Sequence, residues 1–408
     1  MRHVVVMVAT SYPRFPGDGV GSFMEPIARS VAARGHEVHL VAPWHPAITR
    51  GKEEHGVFFH FFHYAPVPSL NVFGYAGGLR ADTDLKLSAW LAAPLALAAG
   101  WFKAWRVATK RRATVMHGHW VVPGGVMAAA AAGRLPLVLS LHGSDVYVAE
   151  RHAAARRAAR YAFGRAGWVT ACSDDLRTRA CALGAAADRI ETLPYGVDVE
   201  RFAPAPEARA EVRRVLEVGD APLIFTAGRL VRKKGFEFLI DAVRTIRRDV
   251  PDVRLVIAGE GDLGEDLRAR AADLAEHVRF VGNVPQDMVG RMSAAADVVA
   301  VPSVHDDQGN VDGLPNFALE AMATATPLVA TRAGGLSSLI DNDRTGLLVP
   351  ERDAAALGEA LRAVLEWPAA RRREMGERGR ARIRTDFGWP RVGDRLEAAY
   401  DRASGPAM

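Results

Sequence analysis

The chain has 408 residues, 49% of them hydrophobic, with 52 Lys and Arg against 47 Asp and Glu for a formal net charge of +5. That length is too great for one hydrophobic core and suits two domains of about 200 residues, each with enough apolar content to bury its own. Two cysteines in so long a chain exclude a disulfide framework, and Cys172 and Cys181 lack metal-ligand spacing, so a reducing cytoplasm is the expected setting.

Met1-Arg2-His3 leads into an apolar run, Val4 to Ala9. It is too short for a signal peptide and ends in polar turn residues, so it reads as a first buried strand. A helix is predicted over Phe23 to Ala33 and a strand over Glu37 to Ala42, with later strands at Thr114 to Met116, Leu137 to Leu141 and Trp168 to Ala171. In the second half, strands at Leu223 to Phe225, Arg254 to Ala258, Val278 to Val281, Val298 to Val301, Pro327 to Ala330 and Gly346 to Val349 alternate with helical stretches. Twice-repeated βα alternation predicts an α/β protein with parallel sheets. The Pro/Ala/Glu-rich segment Phe202 to Ala210 reads as the linker, and Trp389 to Asp401 as a final helix. No solenoid-period repeat or long low-complexity tract is present.

Charge is uneven. Residues 1–200 carry 22 Lys and Arg against 15 Asp and Glu, whereas the rest is nearly balanced at 30 against 32. No acidic residue falls between Leu85 and Ser144, and Lys103, Arg106, Lys110, Arg111 and Arg112 follow an apolar stretch, Leu87 to Phe102. A second basic group, Arg151, Arg156, Arg157, Arg160 and Arg165, has helical spacing. The apolar stretch is interrupted by Pro94 and falls short of the roughly 20 residues that span a bilayer. A helix lying on an anionic membrane surface and a core helix with a solvated basic face both remain open. Nucleic acid is disfavoured, because no nucleic-acid module accompanies the charge.

The richest local signal is Asp312-Gly313-Leu314-Pro315-Asn316-Phe317-Ala318-Leu319-Glu320. Pro315 suits the first position of a helix, which leaves Asp312 in the loop before it and Glu320 about 7.5 Å further along the axis at ~1.5 Å per residue. Helical side chains lean toward the N-terminus, so both carboxylates can converge on it. Unpaired backbone N–H groups there, including those of Gly313, Leu314 and Asn316, offer a seat for phosphate. Carboxylates beside such a seat are better suited to accepting sugar hydroxyls than to touching phosphate, which suggests a nucleotide sugar; the plain alternative is a solvated Asp and an ordinary helix Glu. Upstream, Thr226 to Gly235 follows an apolar run and precedes the helical pattern Phe236, Leu239, Ile240, Val243, Ile246. Arg229 and Lys234 thus sit on a strand-to-helix turn, where they can neutralise a diphosphate and the charge that develops on a leaving group; otherwise the turn is a basic surface loop.

Weaker candidates surround these. Gly17, Gly19 and Gly21 follow the first strand but do not fit a dinucleotide fingerprint. His142 ends a predicted strand and suits either a structural or a functional role. His117 and His119 share one side of a strand and lack an obvious third metal ligand, so a structural role is expected. Asp82-Thr83-Asp84 and Asp341-Asn342-Asp343 mimic a metal-binding Asp-x-Asp but lie in polar turns without supporting context.

Taken in order, Ser11-Tyr12-Pro13, Arg34-Gly35-His36-Glu37-Val38, His142-Gly143-Ser144-Asp145, Pro194-Tyr195-Gly196-Val197-Asp198, Gly228-Arg229-Leu230 through Lys234-Gly235 and Glu320-Ala321-Met322-Ala323 resemble the retaining glycosyltransferases of family GT4. The resemblance implies the GT-B fold, two facing Rossmann-like domains. These are placed at residues 1–200 for the acceptor and 201–388 for the nucleotide sugar, with 389–408 returning to the first domain. It implies a metal-independent enzyme without a cofactor. Arg229 and Lys234 would meet the diphosphate, Glu320 the ribose, Asp312 the transferred sugar and His142 that sugar's anomeric region, with Gly21 lining the cleft. The acceptor would be a saccharide or lipid-linked glycan, and the enzyme cytoplasmic, peripheral at the inner face of the membrane. Two departures stand out: Asp312 replaces the family's usual Glu, and Gly334-Gly335-Leu336-Ser337-Ser338 replaces Gly-Gly-x-x-Glu. A nucleotide-sugar epimerase and a non-catalytic nucleotide-sugar-binding protein are the rival readings.

Overall fold

The computed structural model describes residues 2–65, 71, 74–75, 79–80, 84–85, 87–307 and 309–405. Asp82 and Thr83 lie outside them. The chain divides into two compact units, Met1–Tyr195 with Trp389–Met408, and Gly196–Gly388.

The first unit runs β1 (Val4–Val8), α1 (Met24–Ala32), β2 (Glu37–Pro43), β3 (Glu53–Glu54), β4 (Val57–Phe62), β5 (Leu79–Arg80), β6 (Asp84–Leu85), α2 (Leu87–Arg111), β7 (Val115–His119), α3 (Val126–Ala132), β8 (Leu137–Leu141), α4 (Ser144–Arg151), α5 (Ala153–Arg165), β9 (Trp168–Ala171), α6 (Asp174–Leu183) and β10 (Ile190–Thr192). Its sheet has the order β10-β9-β8-β7-β1-β2-β4-β3, parallel except for β3 against β4. Helices cover both faces, which is why β1 is continuously apolar and Val5 to Val8 are wholly buried. Successive strands step outward from β1 through β2, then from β7 through β10 on the other side. The order therefore reverses between β1 and β7, and the crevice beyond the carboxyl ends of those strands is where such sheets take ligands.

The second unit runs α7 (Pro206–Val215), β11 (Leu223–Ala227), α8 (Phe236–Ile246), β12 (Arg254–Ala258), α9 (Gly264–Arg270), β13 (Val278–Gly282), α10 (Gln286–Ala295), β14 (Val298–Val301), α11 (Asn316–Ala323), β15 (Leu328–Thr331), α12 (Leu336–Leu339), β16 (Leu347–Val349), α13 (Ala354–Glu366) and α14 (Ala369–Asp386). All six strands are parallel in the order β13-β12-β11-β14-β15-β16, which reverses between β11 and β14. The predicted apolar stripe of α8 is buried, with Leu239, Ile240 and Val243 in one core with Leu357 and Leu361 of α13.

The helix α15 (Trp389–Ser404) completes the first unit, packed on α1, β8 and β9, with the Tyr400 hydroxyl 2.9 Å from His117 Nδ1. Three boundaries differ from the sequence reading. Phe202 to Ala210 is not a linker: Phe202 is buried, and Pro206 opens α7, which packs on α10 and is tied to its last residue by Arg209 and Arg213 donating to Ala295 O, both also pairing with Asp297 just beyond. Pro, Ala and Glu are as apt for the first turn of a helix as for a linker, so composition alone could not separate the two. The first unit ends at Tyr195 rather than at residue 200, because Val197 N–H bonds Phe387 O at 2.8 Å and Arg380 bonds Val199 O at 3.0 Å. Pro315 is the residue that caps α11, which begins at Asn316.

Candidate active site

In the second unit, the predicted donor-binding residues converge on the reversal between β11 and β14. The two strands pair only at Ile224 with Val298 and Phe225 with Val299. Beyond that point the buried Thr226 hydroxyl takes over, donating to Ala300 O at 2.8 Å. The strands then part into two loops. The first carries Arg229 and a single tight turn, Arg232–Lys234, closed by Gly235 in the left-handed region (φ +63°). A Cβ on Gly235 would run into the Pro302 carbonyl of the second loop, so only Gly allows this approach. The loops are also joined by Val304 N–H on Lys233 O at 2.9 Å.

The second loop ends at α11. Phe317 of its first turn meets Phe225 of β11 edge-on at 5.8 Å, which fixes the helix N-terminus over the strand end. A third loop, after β15, supports Asp312 and Gly313 from behind: Gly335 N–H bonds Gly313 O at 2.7 Å, and Gly334 (φ +54°) packs against the Asp312 carbonyl. The paired glycines of the departed motif thus keep a clear structural task.

Lys234 Nζ lies 2.6 Å from Asp312 Oδ2 and Lys233 Nζ lies 3.1 Å from Asp312 Oδ1. Burial alone would raise the Asp312 carboxyl, but the two ammonium groups outweigh it and hold it well below the usual carboxylate range. Arg229 sits on the loop, where burial of its guanidinium pulls it down against the charges of Asp312 and Asp262. One helical turn into α11, Glu320 Oε1 accepts from Gln286 Nε2 at 2.6 Å, and burial pushes its carboxyl up. Lys233 and Gln286 were not singled out from sequence. Lys233 stood beside Lys234 in the same turn and could have been; Gln286 lies on α10, 34 residues before Glu320, and gave no signal.

The first unit holds His142 and Gly21. His142 follows β8, with its Nε2 3.1 Å from His119 Nδ1 and its Nδ1 2.7 Å from the Tyr195 hydroxyl. Burial, with the neighbouring His117, pushes His142 down to about 3, so the ring is neutral. The buried Asp145, in the first turn of α4, accepts from the N–H groups of Val121 at 2.7 Å, His142 at 3.2 Å and Gly143 at 2.9 Å, locking the loops after β7 and β8 together. Phe23, at the start of α1, stacks on Tyr195 at 4.7 Å and lies 4.8 Å from His142. Gly21 sits two residues earlier, against Ser11. His117 has the expected structural role, bridging Tyr400 and Ser140. Asp341-Asn342-Asp343 also does structural work: the Asn342 side chain accepts from Leu348 N–H at 2.7 Å. Among the described residues no group of three or more His, Cys, Asp or Glu side chains is placed to hold a metal ion.

Two parallel-sheet units, each with its sheet reversal furnished with polar side chains, define a GT-B protein. Comparison with known proteins agrees. The family described as glycosyltransferase family 4 matches residues 17–201, and that described as glycosyl transferases group 1 matches residues 221–366. A GDP-mannose-dependent alpha-(1-6)-phosphatidylinositol monomannoside mannosyltransferase of Mycobacterium tuberculosis is 32% identical over 405 residues, 96% of each chain. Its Mycolicibacterium smegmatis counterpart is 39% identical over 269 residues, covering 65% of this chain and 70% of the relative. Among solved structures, Anabaena HepE in complex with UDP superposes with a TM-score of 0.76 at 21% identity, covering 98% of this chain and 99% of that one, a likeness of fold. The chain belongs to the group 1, family 4 glycosyltransferases.

Proposed function

We propose that this glycosyltransferase moves mannose from GDP-mannose to a lipid-linked acceptor with retention of anomeric configuration and without a metal ion. The observation that carries the donor half is the pairing of Lys233 and Lys234 with one carboxylate, Asp312, just before the N-terminus of α11, with Arg229 on the same loop as the lysines and within reach of the Asp312 charge. Two lysines on one carboxylate, with Arg229 on the same loop, leave positive charge to meet a nucleotide-sugar diphosphate. Protein side chains can then do the neutralising that other transferases assign to a cation. Guanine and mannose are drawn from the mycobacterial relatives' own donor.

In this reading Arg229, Lys234 and the N–H groups of Gly313, Leu314 and Asn316 hold the diphosphate as it leaves. Glu320, already steadied by Gln286, accepts the ribose hydroxyls, and Asp312 accepts those of the sugar. His142 orients the sugar; as a neutral ring it adds no repulsion to the positive charge that builds at the anomeric carbon. The acceptor oxygen forms the new bond as the anomeric C–O bond to phosphate breaks, and its proton passes to the departing phosphate oxygen.

The acceptor half is supported by α2. One face of that helix is buried through Ala96, Ala104, Val107 and Ala108. The other shows a second apolar stripe, Leu91 and Leu95 at 72% and 61% exposed, then Trp101, Phe102 and Trp105. Arg106, Lys110 and Arg111 are exposed on the same helix. Aromatic and aliphatic side chains beside exposed cations fit the boundary of an anionic bilayer, holding the enzyme at the membrane peripherally. Among the described residues no helix is long and apolar enough to cross a membrane.

The deciding experiment is transfer from radiolabelled GDP-mannose to a lipid extract in excess EDTA, with the product's anomeric proton read by NMR. An α-linked mannolipid supports the proposal. Loss of transfer that Mg²⁺ restores, a β-linked product, or conversion of the donor without any acceptor overturns it, the last in favour of an epimerase.

A further inference from the structure

Lys233 has no part in the chemistry described so far beyond its charge, yet it is built into the site as firmly as Lys234. Its carbonyl is fixed by Val304 N–H at 2.9 Å, and its ammonium reaches the carboxylate oxygen of Asp312 that Lys234 does not use. The three side chains are only 16%, 12% and 19% exposed for Lys233, Asp312 and Lys234. A carboxylate so enclosed is costly to leave without a counter-ion.

That creates a conflict in the donor-free enzyme. Lys234, the cation needed by the diphosphate, is held 2.6 Å from Asp312. With a single lysine, an incoming diphosphate would have to strip the carboxylate of the one ammonium group paired with it. With two, one lysine can leave and the carboxylate remains paired.

We propose that Lys233 is a positioning residue that keeps Asp312 paired when the diphosphate draws Lys234 away, so that phosphate capture by Lys234 and sugar binding by Asp312 no longer compete. The proposal rests on the donor-site reading above. It accounts for the departure at residue 312 as well: the shorter Asp side chain stays back against Lys233 in its own unit's first loop.

The test titrates the full-length protein with inorganic pyrophosphate and, separately, GDP by calorimetry, in wild type, Lys233→Met, Lys233→Arg, Asp312→Asn and the Lys233→Met/Asp312→Asn double variant. Lys233→Met should weaken both ligands about tenfold or more. Lys233→Arg should recover affinity to within about threefold, since the guanidinium keeps the charge. The double variant should bind more tightly than Lys233→Met, because removing the carboxylate's charge frees Lys234; a lysine with a merely structural or additive electrostatic role gives no such reversal beyond that seen for Asp312→Asn in the wild-type background. Unchanged affinity in Lys233→Met, or equal effects of Asp312→Asn with and without Lys233, overturns the proposal. Thermal melts of each variant separate misfolding from weakened binding, and Lys233→Arg keeps the test decisive if the Met variant fails to fold. A wild type that binds pyrophosphate but not GDP refutes the choice of base, and the Lys233 test is then decided on pyrophosphate alone.

Discussion

The two sheet reversals occupy equivalent places in their own units and carry opposite chemistry. Between β11 and β14 the second unit pairs Lys233 and Lys234 with Asp312, near Arg229, although the unit as a whole is slightly acidic, with 27 Lys and Arg against 31 Asp and Glu. Near β1, β7 and β8 the first unit places His119 and His142 with depressed pKa values, Phe23 and Tyr195, although it carries the chain's positive surplus. Its two basic clusters lie mostly on α2 and α5, away from that reversal in the chain. Net charge therefore says little about where ionic chemistry happens; position relative to the strand order says much more.

If the ionic site does the charge neutralisation, breaking it should have the largest effect on rate. Arg229→Ala or Lys234→Ala should lower turnover by roughly 10² or more, the scale of losing one preorganised charge-stabilising group, with little change in melting temperature. Single-turnover assays with saturating donor check this. Near-normal rates in both variants would erase the contrast between the two sites.

The neutral site should behave differently. His142→Ala is expected to lower kcat roughly tenfold while donor affinity stays within a factor of two, which separates orientation from binding. Because burial keeps His142 near 3, the wild-type rate should show no limb around 6.5, the ordinary histidine value. The same depression has a linkage consequence. As pH falls below 6.5 the unfolded chain takes up protons that folded His117 and His142 refuse until about 3, so stability drops with pH through that window. Urea midpoints of wild type and His117→Asn at pH 7.5 and pH 5 test this; the substitution should flatten the loss.

Much of this was legible in the sequence. The strands Leu137–Leu141, Trp168–Ala171, Arg254–Ala258 and Val298–Val301 fall where their apolar runs predict, because strands buried on both faces read as continuous apolar segments. Lys234 meets Asp312, with Arg229 and Glu320 within reach of their charges, because each lies within a few residues of a strand end or helix start, which local patterns mark well. What was missed depends on partners far along the chain. Gln286 reaches Glu320 from the preceding helix, Tyr195 reaches His142 across 53 residues, and Asp145 looked like one letter of a motif until its three backbone donors were visible. Phe202 to Ala210 was misread because its composition serves two structures equally well.

Glu320 sharpens the comparison from the binding side, with a smaller effect. Its carboxylate is buried in the ionic site yet paired to a neutral amide, so burial raises its pKa instead of lowering it as the lysines do for Asp312. Glu320→Gln should weaken GDP roughly tenfold, the loss expected from replacing charged hydrogen bonds to ribose with neutral ones. It should also stabilise the free protein at neutral pH. A carboxyl whose folded pKa lies above its unfolded value penalises folding above that pKa, and the penalty fades as pH falls toward 4.5, so the gain in melting temperature should shrink in the same direction.

The smallest effects should come from the cations of the first unit, which act at a surface. Each basic side chain near an anionic leaflet contributes about 1 kcal/mol, and salt screens it. Reversing Arg106, Lys110 and Arg111 to Glu should therefore reduce cosedimentation with anionic vesicles, and 0.5 M salt, roughly a 4 Å screening length, should abolish most of what the wild type shows. Replacing Leu91, Leu95, Phe102 and Trp105 with Ser should weaken binding to anionic and neutral vesicles alike, since the apolar stripe does not read lipid charge. Neither set should alter GDP affinity, because no residue in it belongs to the ionic site of the second unit. Failure to bind vesicles of either composition, at low or high salt, would assign the acceptor to solution and leave the exposed stripe of α2 without a membrane role.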